Sequence, residues 1–134
     1  MLRSKGGDDN SYRSSDGVNN LDWDALIPGS DAYEMMRFYR GLMAMRKAVP
    51  LFTAQAGVKI EFSSLAGGGM VADYRDEEGN CAKVVINPTN KADDLTLKGS
   101  WKLLSDGIRA GAETLRVDSG NVSIPAHSAM VYVP

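Results

Sequence analysis

The sequence predicts a mainly β chain: an antiparallel Greek-key β-sandwich of about eight strands, preceded by one amphipathic helix and a long N-terminal polar loop. Three observations carry this. Residues 51–134 break into short alternating apolar runs separated by Asp-Gly, Ser-Gly and Pro, at the roughly 8–12-residue spacing of sandwiches and barrels. Residues 31–48 repeat apolar side chains at helical intervals. Residues 1–30 show neither period and are rich in Gly, Ser, Asn and Asp, as loops are.

The loop comes first in the chain. "RSKGGDDNSYRSSDGVNNLDW", residues 3–23, is polar until it meets Trp23. Leu21, Trp23, Leu26 and Ile27 are its expected anchors to a core. A structureless run this long is unusual in a compact domain, where such loops are either functional or disordered.

The helix follows. Asp31 and Glu34 have the spacing of a capping box, in which two side chains satisfy each other's orphan amides. Met35, Phe38, Leu42 and Met45 form one apolar stripe, and Met36, Tyr39 and Met43 a second beside it. Arg37, Arg40, Ala44 and Lys47 occupy the opposite face, and Pro50 ends the helix. The apolar face is wide enough to meet two different surfaces.

The strands then read in order. In "VKIEF", Val58, Ile60 and Phe62 alternate with Lys59 and Glu61. "GMVADYR" and "CAKVVIN" flank "DEEGN", a hairpin with Gly79 at its turn. Residues 81–86 are apolar on both faces, as in a central strand. "DDLTLKG", "SWKLLSD", "AETLRV", "NVSI" and "SAMVYV" complete the set.

Composition narrows the function. The chain has 134 residues, a net charge of -2 and scattered Lys and Arg, with no nucleic-acid footprint and no polybasic membrane patch. With one cysteine, Cys81, no internal disulfide forms, and with one histidine, His127, no histidine pair or HExxH zinc site exists. No metal or cofactor is expected. No apolar run approaches the ~20 residues of a membrane span. No signal-peptide apolar region is visible, which favours a cytoplasmic location.

Chemistry-bearing motifs are few. "GGG" at 67–69 lacks the Lys-Ser/Thr of a phosphate loop and reads as a hairpin turn. His127, in "PAHSAMVYV", reads as a turn histidine at the entry to the last strand. Asp8, Asp9, Asp16, Asp22 and Asp24 lie on loop sequence, without the rigid strand ends that a catalytic carboxylate pair needs. The "DEE" at 76–78 is a solvated hairpin tip. Trp101 reads as a core residue.

The opening stretch resembles the loop after the eighth barrel strand of type I pullulanases, debranching enzymes of the α-amylase superfamily. The matching residues are Arg3, Ser4, Lys5, Gly6, Asp8 or Asp9, Asn10, Ser11, Tyr12, Ser15, Asp16, Asn19, Leu21, Asp22 and Trp23. "YRGLMAMRKAVPLF", residues 39–52, is similar to the family's last barrel helix and its exit, with Met45 where Leu is usual. "VVINPTNKADDLTLKGSWKLLSDGIRAGAETLRV" and "VSIPAHSAMVYV" resemble its small C-terminal β-sandwich domain. Val122, Ile124, Pro125, Ser128, Ala129 and Val131 match the tail.

The resemblance implies three parts: residues 1–30 as the last barrel loop, 31–48 as the last barrel helix, and 51–134 as the C-terminal sandwich. It implies a parent that hydrolyses α-1,6-glucosidic bonds in pullulan, glycogen or limit dextrins, with its nucleophile and acid/base on barrel strands ahead of this segment. No catalytic residue is then expected here, and the chain alone is expected to be inactive. Asn10 and Tyr12 would face an α-glucan only alongside the barrel. The expected partners are that barrel, the glucan through it, and a second copy through the exposed helix face, with neither nucleic acid nor membrane. Two other readings stand beside this one. A stand-alone carbohydrate-binding sandwich would need exposed coplanar aromatics from Tyr74, Trp101 and Tyr132. A small structural adaptor would explain the helix but not the loop.

Overall fold

The computed structural model describes residues 4–53 and 57–134. Arg3, part of the loop motif, lies outside the described residues. Contacts divide the chain into two compact units, Met1–Tyr39 and Arg40–Pro134.

The first unit is a chain of tight turns where an irregular loop was expected. Single-turn 3₁₀ helices span Lys5–Gly7 and Ser11–Arg13, and a short helix α1 spans Asp16–Asn19. They form because Ser, Asp and Asn side chains bond backbone groups close by in sequence. The helix α2 spans Asp31–Ala48, as its periodicity predicts. Its cap differs from the expected Asp31–Glu34 box: the Tyr33 amide donates to Ser30 Oγ at 3.2 Å. Ser30 begins the turn one residue earlier, so its hydroxyl reaches the orphan amide first. Leu21, Trp23 and Ile27, expected as anchors, are all exposed, and only Leu26 is half-buried.

The second unit is a six-stranded antiparallel sheet in the order β1-β2-β3-β6-β4-β5. The strands are β1 (Lys59–Ser64), β2 (Met70–Arg75), β3 (Cys81–Asn87), β4 (Asp93–Ser105), β5 (Arg116–Ile124) and β6 (Ser128–Val133). Six replace the expected eight for one reason. "DDLTLKG" and "SWKLLSD" are a single strand bent at Gly99, and "AETLRV" and "NVSI" a single strand bent at Gly120. Both glycines have positive φ, +80° and +69°, and the register slips between Leu97 and Trp101. That is a bulge, which bends a strand without ending it. The Trp101 indole N–H closes it by donating to the Lys98 carbonyl at 3.0 Å.

The bend creates the sandwich. Leu95, Leu97 and Ile124 share one buried cluster with Val71 and Val85, which stand on strands that β4 and β5 do not pair with. Leu103, Met130 and Tyr132 complete that core. The opposite face presents Ala82, Leu104 and Val131 to Met45, Val49 and Leu51 at the end of α2 and just beyond it. Burying each such aliphatic side chain contributes about 1.5–3 kcal/mol.

Two polar side chains lock the fold at long range. The Asp93 carboxylate accepts from the Gly67 and Gly69 amides at 2.9 and 3.0 Å, tying the start of β4 to the β1–β2 turn. The buried Asn87 amide donates to the carbonyls of Lys91, Ile124 and Pro125 at 2.8–3.1 Å, and its oxygen accepts from the Thr89 amide and hydroxyl. A buried amide without such partners costs about 1–3 kcal/mol. The "GGG" run is a turn, as read, but Gly67 and Gly69 are there for space: a Cβ on Gly67 would lie 2.8 Å from the Asp93 carboxyl carbon.

Candidate functional site

The residues singled out from sequence lie in the first unit, so the site is built there. Three short-range bonds set the loop's shape. Asp8 accepts from the Ser14 hydroxyl and, at 3.1 Å, from the Asn10 amide. Lys5 donates to the hydroxyl of Ser11, a residue only 6% exposed. The Asn19 side chain donates to the Ser11 and Ser14 carbonyls at 2.7 and 3.0 Å. The Ser14 hydroxyl first, then the Asn10 amide, hold the Asp8 carboxyl below its ordinary range. These two bonds make Asp8 a turn-forming carboxylate.

Tyr12 stands out from this frame. It is 73% exposed, and the Arg13 guanidinium lies 5.2 Å from its ring centroid. Asn10 occupies the position before the second turn, is exposed, and makes no side-chain capping bond there. An exposed aromatic ring and, two residues earlier in the chain, an exposed side-chain amide are groups suited to an uncharged, hydroxyl-rich ligand.

A concavity of the loop lies elsewhere. A cavity of about 480 Å³ is lined by residues including Lys5, Gly6, Val18, Asn20, Leu21 and Asp22, and neither Asn10 nor Tyr12 borders it. Asp22 is fixed on its rim by accepting from the Asp24 and Ala25 amides at 3.1 and 3.2 Å. Sequence reading missed this cavity. Its signal was present, because Asn20, Leu21 and Asp22 belong to the Asn-x-Leu-Asp-Trp run, but nothing local shows that they face back toward Lys5.

Several acids of the second unit bond to structural partners. Asp118 accepts from the Tyr132 hydroxyl at 3.1 Å and from the Arg116 Nε at 2.9 Å. Burial, then the neighbouring Asp118 carboxylate, push the Tyr132 phenol up to about 12. Asp106 accepts from Arg109, and Asp73 pairs with Lys83. His127 sits in the β5–β6 turn with a left-handed backbone, φ +49°, and its amide donates to the Thr89 carbonyl. The three strand aromatics named from the sequence do not make a stacking platform. Tyr132 is fully buried, Tyr74 packs edge-on against Phe52, and Trp101 lies against the core with Lys83 over its ring. Among the described residues no group of three or more His, Cys, Asp or Glu is placed to hold a metal, and no helix is long and apolar enough to cross a membrane.

Comparison with known proteins follows the same lines. No family model matches the chain. A pullulanase of Bacillus subtilis (strain 168) is 39% identical over 61 residues, which is 46% of this chain and 8% of that protein. The solved pullulanase from Bacillus acidopullulyticus superposes on 100% of this chain and 17% of its own, with a TM-score of 0.81 and 24% identity. The Group B Streptococcus pullulanase SAP covers 92% of this chain and 19% of its own, with a TM-score of 0.70 and 18% identity. The chain thus spans less than a fifth of each of these proteins. The chain shares the fold of a segment of these proteins, a β-sandwich with a helix and loop ahead of it. By that likeness it is a pullulanase-related domain.

Proposed function

We propose that this chain is the non-catalytic C-terminal portion of a debranching enzyme that hydrolyses α-1,6-glucosidic bonds in pullulan, glycogen or starch, and that it stabilises the catalytic barrel. The observation that carries the reading is the superposition of the whole chain, loop and helix included, on less than a fifth of a pullulanase. A self-sufficient sandwich would not need the loop and helix that accompany it. Four acids of the sandwich support the non-catalytic role, because Asp73, Asp93, Asp106 and Asp118 each accept from a structural partner. A glycosidase needs two opposed carboxyls with separated pKa values, and these acids are committed elsewhere. Tyr39 and Met43, 59% and 58% exposed, supply apolar surface for a barrel to cover. Asn10 and Tyr12 would then meet glucan hydroxyls at the barrel's C-terminal face, where the βα loops of such barrels build the active site.

Incubating the chain with pullulan tests the non-catalytic role, and no reducing ends above background are expected. Extending the reading frame upstream tests the rest. A barrel strand ending in a His-Asp-Asn-like motif shortly before residue 1 is expected there. Steady release of reducing ends by this chain alone, or an upstream frame without a barrel, overturns the proposal.

A further inference from the structure

The edge strand β1 carries a pattern that the debranching reading does not use. It forms one edge of the sheet, pairs only with β2 among the described strands, and is exposed along its whole length. Ile60 and Phe62 point to one face, 42% and 66% exposed, while Lys59 and Glu61 point to the other and form an ion pair at 2.6 Å. A free edge of this kind is a template for another strand, and side chains directly opposite each other decide the register.

We propose that β1 is a self-pairing edge, through which two copies of this chain join antiparallel about a two-fold axis at Ile60. The charges select both the occupant and the register. With Ile60 opposite the second copy's Ile60, Lys59 lies opposite Glu61 and Glu61 opposite Lys59, so both symmetric pairs are of opposite sign. Phe62 then lies opposite Val58, and the apolar row continues across the junction. Centring on Glu61 instead sets two carboxylates face to face, which is destabilising. Centring on Phe62 leaves both charges without a partner. A two-fold interface must be complementary to itself, and only the first register makes this segment so. The paired segment is short, so the dimer is weak and concentration-dependent.

The test uses two exposed charge reversals on the full chain and their mixture. Sedimentation equilibrium at concentrations on the order of 100 µM should show dimer for the parent sequence. Lys59→Glu and Glu61→Lys should each weaken self-association about tenfold or more, because every cross-strand pair becomes like-charged. Circular dichroism should be unchanged in both. An equimolar mixture should recover the dimer, since one chain then offers two carboxylates and the other two ammonium groups in matching positions. Amide hydrogen exchange should slow along 59–62 as concentration rises. A parent chain that stays monomeric, single variants that dimerise like the parent, or a mixture that remains monomeric would each refute the pairing. So would a dimer abolished by Met43→Ser and indifferent to both charge reversals, which would assign the contact to the helix face.

Discussion

Gly41 of α2 lies so close to Ala110 that a Cβ built on it would stand 1.9 Å from the Ala110 carbonyl oxygen and 2.6 Å from its carbon. The helix backbone therefore meets the 106–110 turn directly, with no side chain between them. Glycine inside a helix costs about 1 kcal/mol relative to alanine. Its presence at this position has a steric reason. Gly41→Ala should destabilise the chain by about 2 kcal/mol in spite of the better helix propensity, because both groups in the clash are backbone and cannot rotate away. A urea denaturation midpoint below that of the parent is the expected readout. A midpoint at or above it would show that helix and turn are free to separate.

Asp93 gives a second expectation, this time in pH. The Gly69 amide first, with those of Gly67 and Asp94 after burial's opposing effect, holds its carboxyl below the ordinary value of 3.8. A depressed carboxyl contributes stability that is present above the unfolded-state value and is lost as pH falls through the folded one. Stability should therefore decline below about pH 4, and part of that decline should vanish in Asp93→Asn. The same variant should be less stable than the parent at pH 7, since the two glycine amides donate to different carboxylate oxygens and an Asn side chain offers one oxygen to one of them and an NH2 donor to the other. Parallel urea titrations at pH 7 and pH 3 measure both effects. An unchanged acid slope would mean that another carboxylate governs it.

How much of this was legible in the sequence differs by element. The helix boundaries 31–48 and the turn at Gly79 could be read because their signals are local: a 3.6 period with a stop at Pro50, and Asp-x-x-Gly between two alternating runs. Gly99 and Gly120 could not be read correctly. A glycine at positive φ looks the same whether a strand ends there or only bends, and the difference lies in pairing partners far along the chain. Asp93 and Asn87 were invisible for a related reason, as their partners include Gly69 and Ile124, on other elements. Asn10 and Tyr12 were named by resemblance, and the structure sets them outside the cavity that Lys5 and Asp22 help to line. Local residue types name a loop, but its concave side depends on how successive single turns stack.

Tyr132 should make the chain sensitive at high pH. Its side chain is fully buried, its hydroxyl donates to Asp118, and its phenol is pushed up to about 12. The folded state thus keeps the proton more firmly than the unfolded state, whose tyrosines ionise near 10. The resulting stability is complete below pH 10 and is lost as pH rises from 10 to 12. Tyr132→Phe should cost about 1 kcal/mol at pH 7, the net worth of one hydrogen bond, and should flatten the alkaline decline. Absorbance of tyrosinate at alkaline pH, followed alongside circular dichroism, is the measurement. Ionisation of the last tyrosine before unfolding begins would contradict the assignment.

His127 yields the last expectation, and it separates a turn residue from a chemical one. Its φ of +49° lies in the left-handed region, which costs a non-glycine residue about 1 kcal/mol or more. The side chain is exposed, and only the backbone amide is tied, to Thr89. His127→Gly should relieve the strain while retaining that bond, and the added chain entropy of glycine should offset part of the gain. The net change should be between zero and about 1 kcal/mol of stabilisation. His127→Val should destabilise by about 1–2 kcal/mol, because a β-branched side chain tolerates this conformation worst. The two variants share the loss of the imidazole and differ in backbone freedom. Opposite shifts in their thermal midpoints therefore locate the role of residue 127 in its backbone, whereas equal losses would locate it in the ring.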